Sequence, residues 1–444
     1  MLSYFNIVIK TKLMKKLLLF SLLMFFVVLI CKSTFAQNLK RCGTTEHEAY
    51  LRSVNPLYEQ EKADLEKQVQ EFIKNREIEK KINGQEAFTS YTIPIVFHVL
   101  YNTTAQNVSD VKVKAMLTGL NQDWSRTNSD KGNTPSYFAS VATDMQIQFC
   151  LATKDNNGNA TSGIIHKQTS QSGFSSNDAI KKSAQGGDDP WNVQKYFNVW
   201  IGNLASSGLL GYGVFPPISS LYGVVIECTT VGSLASPNSA GGQYGYGRTL
   251  SHEIGHCFNL IHIWGDDGGS CSGSDQCADT PNQADATYGC PSGIKTDACT
   301  ASGNGINYQN YMDYTDDLCY NMFTANQKGR AQGAVFNSLM VLVNSVSTVC
   351  SAGTGVAENS LTENISLFPN PSTGDVYISS ALPNINSMDV KVYNAIGQSV
   401  VSKKIIVPTI SETKINLSAQ PNGIYLFEMK SSEGTITKKV IINR

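Results

Sequence analysis

Residues 251–267 read SHEIGHCFNLIHIWGDD. Within them, His252-Glu253-Ile254-Gly255-His256 is followed six residues later by His262, so three of the chain's six histidines sit close together. On a helix, positions i and i+4 share a face, and His252 and His256 can therefore offer two imidazoles to one ion. A catalytic zinc takes three protein ligands and keeps a fourth position open for water. His262 completes that set only if the helix stops soon after His256 and the backbone turns back. The turn position is Asn259, where the longer form of the motif carries glycine. Asparagine is the next most tolerant residue of a left-handed backbone, so the turn is feasible. Glu253 follows His252 directly and points toward the fourth position, as a general base for water requires. A bare HExxH arises by chance in ordinary helices. His262 at this distance is what makes the stretch a metal motif.

The rest of the composition bounds the setting. A chain of 444 residues is expected to hold more than one domain. A formal net charge of −1 gives no long-range pull on nucleic acid or an anionic membrane. Lys10, Lys12, Lys15 and Lys16 precede an apolar run at 17–30, and Ser33-Thr34-Phe35-Ala36-Gln37 follows. That pattern is a signal peptide over 1–36, cleaved after Ala36. The apolar run is short for a stable membrane span. A secreted or cell-surface protein is expected. The ten cysteines beyond Cys31 then read as disulfides plus a few special thiols, with connectivity left open.

Residues 37–90 read as a pro-segment. Positions 58–81 are dense in charge, with Leu65, Val69, Phe72 and Ile73 on one helical side. Arg41-Cys42-Gly43-Thr44 precedes them. A thiolate is a strong zinc ligand, so Cys42 has two readings. It occupies the open zinc position in a latent form, helped by the Arg41 charge, or it pairs with another cysteine.

A catalytic domain is expected over 91–350. TIPIVFHVLY at 92–101 is a rich strand run, with His98 on its second face as a packed or exposed histidine rather than a ligand. Ser109 is placed to cap a helix to about Trp124, with Val113, Met116, Leu117 and Leu120 inward. Further strands are expected at 145–152, 196–201 and 224–228. Residues 209–215 read as an edge strand on which an extended peptide could add as one more strand. Strands and helices alternate to this point, which gives an α/β upper half. His166 has no partner legible in the sequence. Residues 265–305 lack regular patterning and hold Cys271, Cys277, Cys290 and Cys299, the available staples. Asp266, Asp267, Asp275, Asp279 and Asp285 crowd the same stretch, either as a solvated acidic loop or as a calcium site. Met312, flanked by aromatics, reads by pattern alone as core. Thr324 is expected to cap a last helix through about Leu342.

Residues 91–343 resemble the pappalysin family of metzincins, in its bacterial secreted branch. The resemblance rests on HEIGHCFNLIH at 252–262, CADTP at 277–281, NYMDYTDDLC at 310–319 and MFTANQKGR at 322–330. RCGT at 41–44 resembles that branch's cysteine switch, which implies Cys42 as the zinc ligand of a latent form. The resemblance implies a metzincin-like α/β (α+β) domain: an upper twisted sheet, an irregular lower subdomain and a cleft between them. It implies zinc on His252, His256 and His262, Glu253 as general base, Met312 as the soft floor under the metal and Tyr314 as a donor to the oxyanion. It implies disulfides Cys271–Cys299 and Cys290–Cys319, and calcium near Asp275, Thr280 and the Ala278 carbonyl. Two positions depart from the family pattern. Asn259 replaces the turn glycine. Tyr320 follows Cys319, where members preferring basic residues on the prime side carry an acid, so no Arg/Lys preference is carried over. Cys150, Cys228, Cys257, Cys277 and Cys350 stay unassigned, with Cys257 read as a small buried apolar residue.

A Ser/Gly/Thr/Asn linker is expected over 351–364. Residues 365–444 show short strands with turn signals, a small all-β sandwich pattern. LFPNPSTG, VYNAIGQ, QPNGIY and KKVIINR there resemble the sorting tail of type IX secretion, which implies that machinery as a partner. The expected protein is a monomeric secreted zinc endopeptidase, made latent, acting on proteins or peptides. Two other readings compete. A zinc-containing binding or adhesion protein with a protease fold would not need Glu253. A gluzincin, with an acidic third ligand, would not need His262.

Overall fold

Among the described residues, helices α1 (Thr44–Val54) and α2 (Tyr58–Asn83) precede the strand that organises the larger unit, β1 (Tyr91–Tyr101). The computed structural model describes residues 40–83, 90–350, 365–380, 387–394, 398–406, 412–431 and 434–444. The expected signal peptide and linker lie outside the described residues. Alternate side chains of β1 enter different layers. Ile93, Ile95, Phe97 and Val99 join the main core, while Val96 and Leu100 join clusters of their own. Burial of both faces explains the nearly unbroken apolar run. His98 is packed rather than exposed, between Asp188 at 2.7 Å and Asn198 at 3.0 Å, stacked on Trp200.

Helix α3 (Asp110–Trp124) buries Val113, Met116, Leu117, Leu120 and Trp124 against that core. Strand β2 (Ile147–Leu151) pairs in parallel with the first half of β1, and β3 (Ile164–Gln168) with its second half. Strand β4 (Phe197–Gly202) runs parallel along the middle of β1. Beyond it the sheet ends in β5 (Gly211–Gly213), antiparallel to β6 (Gly223–Glu227), which pairs with β4. Strand β3 was not anticipated. It is five residues long and only partly buried, so it carries little periodic signal. It gives His166 its partners, Asn107 and Asp110. The expected edge strand at 209–215 keeps three residues of ladder.

Helix α4 (Arg248–Cys257) lies against β5 and β6 and sends Leu250, Ile254 and Cys257 into the main core. Residues 258–322 then form neither helix nor strand. Disulfides Cys271–Cys299 and Cys290–Cys319 close loops within that stretch, which limits its freedom when unfolded. A third, Cys150–Cys350, ties β2 to the far end of the unit. The last helix is α5 (Ala325–Ala334), continued through a π turn (Val335–Leu339) into α6 (Met340–Val349), longer than expected. Thr324 and Gln327 form a capping box at its start.

The chain divides into two compact units after Cys350. The described residues of the second form seven strands: β7 (Ile365–Phe368), β8 (Asp375–Ser380), β9 (Ser387–Tyr393), β10 (Ser399–Ile406), β11 (Glu412–Asn416), β12 (Gly423–Ser431) and β13 (Gly434–Ile442). They form antiparallel sheets in the orders β11-β8-β7 and β10-β9-β12-β13. Val376, Ile378, Val390, Val392, Phe427 and Val440 belong to its separate core, so it is an all-β sandwich.

Candidate active site

The start of α4 is fixed by buried charge. Arg248 donates to Asp123 at 3.2 Å and to both oxygens of Asp130 at 2.6 and 2.7 Å. Asp123 also accepts from Ser251 and from the Tyr311 hydroxyl, each at 2.8 Å. One carboxylate therefore joins the helix to the loop that holds Met312. Glycines let the surrounding elements close in. A Cβ on Gly213 would lie 2.5 Å from the Glu253 carbonyl oxygen, and one on Gly255 would lie 2.4 Å from the Met312 sulfur. The edge strand and the methionine thus contact the helix backbone where no side chain would fit.

The helix ends at Cys257, and Asn259 takes the left-handed conformation at φ 64°. The chain turns back and brings His262 to the two helical histidines. His256 Nε2 lies 3.3 Å from His252 Nε2 and 3.1 Å from His262 Nε2. Each Nδ1 has an acceptor: the Tyr311 carbonyl for His252 at 2.7 Å, the Leu260 carbonyl for His256 at 2.8 Å, and the Asp266 carboxylate for His262 at 2.8 Å. Carbonyls and carboxylates only accept, so each neutral ring keeps its proton on Nδ1 and turns a bare Nε2 inward. Burial, then the neighbouring rings, holds His252 and His256 well below the usual imidazole range. Three lone pairs aimed at one point repel one another unless a cation lies between them, and this donor set fits a metal ion.

Cys42 brings a fourth donor. Its sulfur lies 3.5 Å from His256 Nε2 and 3.3 Å from Glu253 Oε2. Among the described residues, Cys42, His252, His256 and His262 are the one group with metal-ligand proximity, all four atoms within 4.8 Å of one another. Burial and the nearby Glu253 push the thiol up, so it needs a cation to stay ionised. Burial also pushes Glu253 up, to about 8. Its Oε2 accepts from Thr44 Oγ1 at 3.1 Å, while its Oε1 is buried without a partner.

The segment carrying Cys42 lies along the sheet edge. Lys40 N donates to the Gly208 carbonyl at 2.6 Å, Leu210 N to Lys40 O at 3.1 Å and Gly43 N to Gly211 O at 2.8 Å, in parallel sense. Arg41 is buried, donates to Asp317 at 2.7 Å and sits over the rings of Tyr244 and Tyr320. Asp317 also accepts from the backbone N of Tyr246 and Arg248 at the start of α4. Tyr320 stands directly after Cys319, at the position where the family pattern has an acid in some members. The carboxylate beside Tyr320 comes from Asp317, two positions before the cysteine.

Met312 is fully buried under α4. Tyr314 stands beside the histidines, its ring 4.9 Å from that of His262 and 5.6 Å from that of His252. Burial, then Cys42 and Glu253, keeps its phenol protonated. Asp275, by contrast, turns both oxygens to the Thr280 hydroxyl, at 2.9 and 2.8 Å. It joins no metal-like group among the described residues, and calcium at Asp275, Ala278 and Thr280 finds no support. The partners of Asp317, Asp123 and the Arg330–Glu66 pair lie far apart in sequence and leave no local signal, while nothing in the sequence separates Asp266 from the other acids of its loop. Cys228, Cys257 and Cys277 are buried free thiols, and among the described helices none is long and apolar enough to cross a membrane.

The family model described as pregnancy-associated plasma protein-A matches residues 180–336, and the secretion system C-terminal sorting domain matches residues 366–443. An extracellular metalloprotease of Arthroderma otae is 32% identical over 241 residues, 54% of this chain and 76% of its own length. Mature mirolysin of Tannerella forsythia, solved in complex with a cleaved peptide, is 46% identical with a TM-score of 0.54, over 56% of this chain and 93% of its own. A promirolysin mutant from the same organism is 39% identical with a TM-score of 0.60, over 69% of this chain and 97% of its own. The chain belongs to the pappalysin family of metalloproteases, as a secreted or cell-surface metalloendopeptidase with a C-terminal sorting domain of type IX secretion.

Proposed function

We propose that this chain is a zinc-dependent endopeptidase held latent by its own N-terminal segment. The reading is carried by one observation: three imidazoles with fixed Nδ1 protons aim their Nε2 atoms, with the Cys42 sulfur, at a single point beside Glu253. His252, His256 and His262 would hold the ion. A bound zinc ion would lower the pKa of water and polarise a peptide carbonyl. Cys42 would take the water's place in the latent form.

The chain's own groups do the rest. Glu253 takes the proton of the attacking water and passes it to the leaving amine. Tyr314 donates its phenol proton in a hydrogen bond to the developing oxyanion. Strand β5 offers backbone groups to an extended substrate running antiparallel to it. The 40–44 segment runs parallel instead, so its peptide bonds are presented in reverse. The wider match to promirolysin than to mature mirolysin supports assigning residues before β1 to a pro-form. Calcium has no part in this reading.

The test is metal analysis together with peptide hydrolysis by the matured chain. Glu253→Gln should keep about one zinc and lose activity by at least ~10³-fold. His262→Ala should lose both. Full turnover by Glu253→Gln would defeat the mechanism. Retained zinc in His262→Ala would favour the gluzincin arrangement.

A further inference from the structure

Asn259 does more than make a turn. Its carbonyl accepts from Arg330 Nε at 3.3 Å and Nη2 at 3.1 Å. Its side-chain amide donates to Glu66 Oε2 at 3.1 Å. Glu66 lies on α2, in the segment before β1, and receives a two-pronged bond from Arg330, Nη1 to Oε1 and Nη2 to Oε2, both at 2.8 Å. Arg330 is fully buried, while Glu66 is one-third exposed. Burial raises the Glu66 carboxyl, but the bonds and charge of Arg330 outweigh it and bring the group down to about 2. The helices carrying the pair are pressed together. A Cβ on Gly333 would lie 3.2 Å from both Val69 and Phe72 of α2.

We propose that Glu66, Arg330 and Asn259 form a second latch, independent of Cys42, that fastens the N-terminal segment to the turn delivering His262. The identity of residue 259 is part of the device. Glycine would make this turn without strain but has no side chain to reach Glu66. Asparagine accepts the left-handed backbone and supplies the donor. A planar guanidinium with a neighbouring amide is a built carboxylate site, and a two-pronged charged pair of this kind is among the stronger side-chain contacts. Latency is then held at two points: a sulfur at the metal, and a carboxylate at the loop that shapes it.

The inference rests on the latent-protease reading, but its test measures association and needs no turnover. Full-length chain carrying Glu253→Gln receives a cleavable site within residues 84–90 and is nicked there by an added protease. Dissociation of the N-terminal fragment is then followed in the Cys42→Ala background. The fragment should remain bound with Cys42→Ala alone. Adding Glu66→Gln should weaken its binding by about tenfold or more. Adding Asn259→Gly should weaken it several-fold, by removing the amide donor alone. Glu66→Gln with Asn259→Gly should be weaker than Glu66→Gln alone by much less than the separate effects predict, since the two share a contact. Unchanged binding in both Glu66→Gln and Asn259→Gly would overturn the proposal, whatever the chain's catalytic activity proves to be. Asn259→Gly approaches the contact from the catalytic side, so the test stands even if the α2 variant fails to fold.

Discussion

At the scale of single residues, the clustering of His252, His256 and His262 was legible in the sequence and the groups that support them were not. HExxH with a histidine six residues on is a local pattern, and helix geometry translates it directly into a shared face. Asp266 is only four residues from His262, yet nothing in the sequence separates it from the neighbouring acids of that loop. In the structure it alone holds His262 Nδ1, at 2.8 Å. Such a carboxylate fixes the ring's tautomer and orientation and raises its basicity as a ligand. Asp266→Ala should therefore raise the zinc dissociation constant of the matured chain about 10- to 100-fold, measured by competition with a chromophoric chelator. Glu253→Gln, which touches no ligand's Nδ1, should leave that constant nearly unchanged. Equal affinity in Asp266→Ala and wild type would remove Asp266 from the site. Asn259 shows the opposite case. Its tolerance of the turn was readable from residue type, whereas its bond to Glu66 depends on a helix nearly two hundred residues earlier.

Elements were read well where periodicity was strong, as for β1, α2 and α3. They were read poorly where a strand is short or its pairing is remote, as for β3 and the three residues of β5. Helix α1 was not foreseen as a contact element at all, and it carries a buried titrating group. His47 Nδ1 donates to the Ser176 carbonyl at 2.8 Å and its Nε2 lies 3.3 Å from Asp178, with its ring on Tyr212 and near Tyr50. Asp178 is itself paired with buried Lys181 at 2.8 Å. Burial, then the Lys181 charge, lowers His47 to about 4, against the opposing pull of Asp178, the Ser176 carbonyl and Glu48. A released segment would titrate near its ordinary value of about 6.5, so the docked state binds fewer protons. Docking is at full strength above that value and weakens as pH falls toward the docked value. At pH 5 the loss should be about 2 kcal/mol, or roughly thirtyfold in the docking constant. Cleavage of the segment by an added protease, in full-length Glu253→Gln at pH 7 and pH 5, reads this out. Acid also protonates the Cys42 sulfur, but His47→Gln shares that change. A smaller acid response in His47→Gln is the expected result, and identical responses would exclude His47.

Over the whole molecule, two units with separate cores should answer differently to loss of metal. The unit ending at Cys350 contains the one metal-like group among the described residues, at the junction of α4, the turn after it and the N-terminal segment. The sandwich that follows is held by its own apolar core, and its described strands supply no such group. This division was legible in the sequence, because a change from mixed helix and strand patterning to regularly spaced short strands is a change of period. A ligand that binds only the folded state stabilises it in proportion to the logarithm of its free concentration over its dissociation constant, by about 4 kcal/mol at a thousandfold excess. Removing zinc from the full chain with a chelator should lower one calorimetric transition by roughly 10 °C. The transition of the sandwich should stay where it is. Readdition of zinc should restore the first transition, and calcium should not, since the donors are imidazole and thiolate rather than oxygen. If both transitions moved together, the metal would be stabilising something common to the two units. If neither moved, the imidazole cluster would not be a metal site that contributes to folding.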